Sequence, residues 1–144
     1  MVTLEALTAY TDELLQVGAY KDYAPNGLQV AGRSEVRRLV TGVTACEALL
    51  EAAVAEEADA VLVHHGYFWK SEAPEVVGMK YRRLKRLLDH DIALLAYHLP
   101  LDAHPELGNN AELARLLGFV VEGTLNDEGI GNHGRLPEPL APAA

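Results

Sequence analysis

Ala60-Val61-Leu62-Val63-His64-His65-Gly66 is an apolar run that stops abruptly at two imidazoles and a glycine. Ile92-Ala93-Leu94-Leu95-Ala96-Tyr97 repeats the pattern and runs into His98-Leu99-Pro100-Leu101-Asp102-Ala103-His104. Short runs rich in Val, Ile and Leu mark strands buried on both faces of a parallel sheet, and the carboxyl ends of such strands are where open α/β sheets bind ligands.

Upstream, Arg37 to Val43 reads as a further strand, and Thr44-Ala45-Cys46-Glu47 fits a capping box that opens a helix through Leu49, Leu50 and Val54 to Glu57. Strand, helix and strand in close order predict a parallel pair joined by a right-handed crossover. A second helix is expected from Met79 to Asp89, with Leu84, Leu87 and Leu88 turned inward. The expected fold is therefore α/β: a mostly parallel sheet containing residues near 39–44, 60–64 and 92–97, with helices on both faces in three layers.

The flanks fill in around this centre. Leu4, Leu7, Leu14 and Leu15 give an amphipathic helix between Thr3 and Gly18, and Tyr23 to Val30 reads as a tight turn leading into a short extended segment. Asn109 is placed as the N-cap of a helix with Glu112 three residues on and Leu113, Leu116 and Leu117 as its buried stripe. Phe119 to Leu125 is a strand that Gly131 to Leu136 can pair with. Residues 1–136 thus read as one α/β lobe, and residues 137–144 as a Pro/Ala-rich tail.

With 144 residues, 49% apolar and 23% charged, the composition is that of one ordinary globular domain. The apolar runs fall short of the roughly 20 residues needed to cross a bilayer, no leader pattern is visible, and Cys46 stands alone. The expected location is cytoplasmic. A formal charge of -9 disfavours general nucleic-acid binding, although Lys80, Arg82, Arg83, Lys85 and Arg86 are five of the twelve basic residues. On a helix they form either a solvated outer face or an attraction for an anionic substrate. Cys46, near a helix start, is expected to be a small packed residue.

The chemistry is expected in His64, His65, His98, Asp102 and His104, five imidazole or carboxylate groups at two strand ends that adjacency in a parallel sheet would bring together. These are ligands for zinc, iron or manganese. Neighbouring strand residues point to opposite faces, so His64 and His65 share one ion only if the backbone turns at Gly66; otherwise each ring serves a different metal with Asp102 bridging. The competing assignment is that the histidines cap strands or bond to carbonyls. The aromatic run Gly66-Tyr67-Phe68-Trp69-Lys70 either roofs the core or stacks a purine, which makes Tyr67, Trp69 and Lys70 candidate substrate-binding residues.

Four segments together resemble a known family: Asn26 to Val30, Val40 to Ala45, Val63 to Lys70 and His98 to Asn110. In order and spacing, from about Leu4 to Gly123, they are similar to the bacterial Ngg-one-interacting-factor-three-like proteins, the GTP cyclohydrolase I type 2 homologues. The resemblance implies the first lobe of a two-lobe fold, a centre of two divalent metal ions (zinc, iron or manganese), and a toroidal homohexamer. It also implies metal-dependent hydrolysis of a nucleotide-like substrate. Carried over by position, His64, His65 and Asp102 are metal ligands, and His98 orients a ligand or handles protons. The family's second half supplies a further His and Glu from an H-x-x-x-E motif. No such motif occurs here, which keeps a second expectation open: a non-catalytic metal-binding or interaction module.

Overall fold

A computed structural model describes residues 1–140; Ala141 to Ala144, the end of the expected tail, lie outside the described residues. The elements in order are β1 (Val2–Thr3), α1 (Leu4–Leu14), a 3-10 turn (Val17–Ala19), β2 (Gly27–Val30), β3 (Glu35–Val36), β4 (Leu39–Thr44), α2 (Glu47–Ala55), β5 (Ala60–His65), α3 (Gly78–Asp89), β6 (Ala93–Ala96), α4 (Leu99–Ala103), α5 (Asn109–Leu117), β7 (Val120–Thr124) and β8 (Asn132–Arg135). They fall into two compact units, Met1–His98 and the residues from Leu99 onward.

The first unit is built on a four-stranded sheet of order β2-β6-β5-β4. β4, β5 and β6 are parallel, and β2 adds an antiparallel edge. Val61 pairs with Leu94 and Val63 with Ala96; these side chains join Leu50 and Ala53 of α2 and Leu84 and Leu87 of α3 in one core. Tyr97, just past β6, lies toward the opposite face, where its buried hydroxyl hydrogen-bonds Asp12 Oδ1 and Thr11 Oγ1 of α1, each at 2.8 Å. Helices therefore cover both faces, as the alternation of buried strands and amphipathic helices predicts. Arg86 of α3 reaches Glu47 and Glu51 of α2 at 2.8 and 3.0 Å, and Lys85 pairs with Asp89, so the basic cluster is partly spent on local carboxylates.

Several local expectations are corrected. α1 ends at Leu14, not at Gly18, because Gln16 takes a left-handed conformation at φ 50°. The capping box does not form. Thr44 belongs to β4 and pairs with His65, leaving Cys46 as the N-cap of α2 without a side-chain cap bond. Leu88 is 60% exposed, one position off the stripe that Leu84 and Leu87 bury.

The second unit packs α4 with α5 and pairs β7 antiparallel with β8, the pairing expected for these segments. Gly108, not Asn109, is the N-cap of α5, and the Asn109 amide donates instead to Asp102 Oδ1 at 2.8 Å. The expected buried stripe faces outward: Leu113, Leu116 and Leu117 are exposed, and Ala114 is the residue of α5 that is buried.

Candidate metal centre

The parallel register sets the site. Val63 lies beside Ala96, so the residues that follow, His64-His65 on one strand and Tyr97-His98 on the other, emerge at the same sheet edge. The rings of His64 and His65 are 4.3 Å apart, His64 and His98 5.0 Å, and His65 and His98 5.8 Å. One ligand atom from each imidazole lies within 4.8 Å of the other two. The flat alternation of a strand is thus lost at this end of β5, and the neighbouring imidazoles share one side.

Gly66 allows the corner by close approach. A Cβ there would stand 2.2 Å from Gln29 Oε1 and 2.6 Å from Ala96 Cβ. Gln29 occupies that space to accept the Tyr67 N–H at 2.7 Å. It can reach because β2 is bulged: Leu28 pairs with Leu95 and Val30 with Leu94, which leaves Gln29 out of the ladder.

Each ring has a backing contact at Nδ1. His64 Nδ1 lies 3.0 Å from the Tyr97 carbonyl oxygen, an obligate acceptor, so this nitrogen carries the proton. His98 Nδ1 lies 3.0 and 3.2 Å from the two carboxylate oxygens of Asp22. His65 Nδ1 stands 3.2 Å from Thr44 Oγ1. With acceptors at Nδ1, the His64 and His98 rings offer Nε2 as the ligating atom, which is the usual second-layer arrangement of metal-bound histidine, while the Thr44 hydroxyl can serve either tautomer of His65. Ligands at about 2.0–2.1 Å from one zinc ion lie no more than about 4 Å apart, so small ring rotations close the set on an ion. The donor set fits a divalent transition metal.

The remaining expected residues are placed as follows. Trp69 packs edge-on to His98 with centroids 5.0 Å apart, and its indole N–H donates to the Gly66 carbonyl at 3.2 Å. Tyr67 is buried, with its hydroxyl donating to the Ala45 carbonyl at 2.7 Å, and burial pushes its phenol pKa up. Lys70 is exposed, with its backbone N–H donating to the Tyr23 carbonyl. Asp102 and His104 belong to the second unit. There His104 Nδ1 accepts the N–H groups of Glu106 and Leu107, which fixes the proton on Nε2.

Residues missed in the sequence are Asp22, Asn26, Tyr23 and, in its actual role, Thr44. Tyr23 stands 5.0 Å from His98 and 5.6 Å from Trp69 between ring centroids. The available signal was the turn-rich Asp22-Tyr23-Ala24-Pro25-Asn26-Gly27, a stretch with two polar side chains that bond readily across a turn.

A sequence profile of Duf34/NIF3 (NGG1p interacting factor 3) matches residues 2–143. The chain belongs to the DUF34/NIF3 family. Among its relatives, the GTP cyclohydrolase 1 type 2 homolog of Pseudomonas aeruginosa is 61% identical over 99% of this chain and 58% of its own length. Among solved structures, the protein ybgI, of unknown function, superposes with TM-score 0.85 at 58% identity over 87% of this chain and 51% of its own. TTHA1606 of Thermus thermophilus gives TM-score 0.83 at 44% identity over 96% and 56% of the two chains. This DUF34/NIF3 chain spans about half the length of the curated relatives it matches.

Proposed function

We propose that the chain holds divalent metal for hydrolysis of a nucleotide-like substrate, with His64, His65 and His98 as imidazole donors. The observation that carries this reading is the convergence of three rings from two adjacent strand ends. Asp102 is proposed as a further ligand on the strength of the family resemblance, as are a second ion, assembly into a homohexamer and a cytoplasmic location. Among the described residues no helix is long and apolar enough to cross a membrane.

When bound, a divalent ion supplies Lewis acidity that lowers the pKa of a coordinated water. The chain's own residues do the positioning: the Tyr97 carbonyl, Thr44 and Asp22 orient the rings, and Trp69, edge-on to His98, is proposed together with Lys70 to meet the substrate. The second reading is a metal-binding module without turnover, which the same three-imidazole donor set would also serve.

The test is elemental analysis of the purified chain, followed by metal-dependent turnover on a panel of nucleotides. His65→Ala is expected to reduce bound zinc, manganese or iron. Unchanged stoichiometry counts against the site. Bound metal without turnover, in this chain but not in a form extended to the relatives' full length, assigns binding to these residues and catalysis to the longer protein.

A further inference from the structure

His98 is gripped at two points by one short loop. Its backbone N–H donates to Asn26 Oδ1 at 2.6 Å, and its ring Nδ1 meets the Asp22 carboxylate. Asp22 is itself fixed, because Oδ1 accepts the Ala24 N–H and Oδ2 accepts the Asn26 side-chain N–H, each at 3.0 Å. The Asp22 side chain is 3% exposed and the His98 side chain 8%. A buried carboxylate is tolerated only where hydrogen bonds compensate its lost hydration, and here three separate donors point at it.

We infer that Asp22 is a positioning residue for the metal centre: it holds His98 as the Nδ1–H tautomer, so that Nε2 is the atom the ring presents to an ion. This rests on the metal reading above and extends it to a residue outside the donor set. A carboxylate has only acceptors to offer, so the nitrogen facing it must bear the proton. A carboxamide at position 22 can turn its NH2 toward the ring instead, which favours the Nε2–H tautomer and removes the ligand atom. The charge also makes the imidazole a stronger donor, and such carboxylate partners typically contribute 10–100-fold to metal affinity.

Two measurements test this. In the metal-free wild type, long-range 15N–1H correlation spectra above the imidazole titration range should show His98 protonated at Nδ1. The opposite tautomer overturns the inference without any variant. Asp22→Asn, nearly isosteric, is expected to mix the His98 tautomers and to weaken zinc binding by about 10–100-fold while leaving the far-ultraviolet circular dichroism unchanged. Asp22→Glu should recover part of that loss. A folded Asp22→Asn chain with the wild-type tautomer and wild-type zinc affinity overturns the role. A wild type that holds no zinc while His98 keeps Nδ1–H overturns the metal reading, and the positioning role with it.

Discussion

The Thr44 hydroxyl stands 3.2 Å from Nδ1 of His65, the residue it faces across the parallel register of β4 and β5. Thr44→Val keeps the shape and removes the polar contact. Zinc affinity is expected to fall about tenfold, with unfolding midpoints nearly unchanged because the site is exposed. Calorimetric titration beside a thermal melt checks both parts, and equal affinity would show that the hydroxyl does not hold the ring.

Gly66→Ala meets one contact that can yield and one that cannot. Gln29 can swing aside, whereas Ala96 Cβ, at 2.6 Å from the added methyl, sits on a buried strand. Overpacking of this kind costs about 1–3 kcal/mol, read from urea unfolding, and metal binding should fall with it as the corner opens.

Asp59 gives the fold an acid-sensitive joint. Its carboxylate accepts the backbone N–H groups of Arg37 and Arg38 at 2.8 and 2.9 Å and pairs with Arg33 at 3.0 Å. Those backbone bonds first, and Arg33 after them, hold its pKa below the usual carboxylate value. A lowered native pKa means stability that is present above the unfolded value, about 3.9, and is lost as pH falls through the native one. Asp59→Asn should therefore destabilise at neutral pH by about 1–3 kcal/mol, with the gap to wild type narrowing below about pH 4. A gap that stays constant down the acid range would assign the effect to packing.

Leu113, Leu116 and Leu117 are 54%, 74% and 60% exposed along α5. A contiguous apolar stripe of this kind drives association. Sedimentation velocity on the 144-residue chain should show concentration-dependent self-association, which Leu116→Ser with Leu117→Ser reduces without lowering the melting temperature.

β5 and β6 were legible because burial on both faces leaves continuous apolar runs, and burial of Val61, Val63, Leu94 and Leu95 to 0% exposure is that pattern in three dimensions. The α5 leucines kept helical spacing but not burial, because spacing identifies a stripe and says nothing of what lies against it. Thr44 was misassigned for a related reason: the interval to Glu47 suits a cap, yet ladder bonding to β5 claims the backbone first. Asp22 was out of reach, since a carboxylate in a turn is ordinary and its tie to His98 spans 76 residues of chain.

The Tyr97 peptide has a further consequence. Its N–H donates to the Val63 carbonyl at 3.0 Å, and its own carbonyl accepts from His64 Nδ1. The imidazole therefore takes the place of the next rung between β5 and β6, after the main chain has stopped supplying one. Sheets usually fray from their ends, but this one is clasped at the end that carries the site. The Tyr97 amide should accordingly be among the last to exchange with deuterated solvent, and His64→Ala should release it selectively while amides at the far end of the same strands keep their protection.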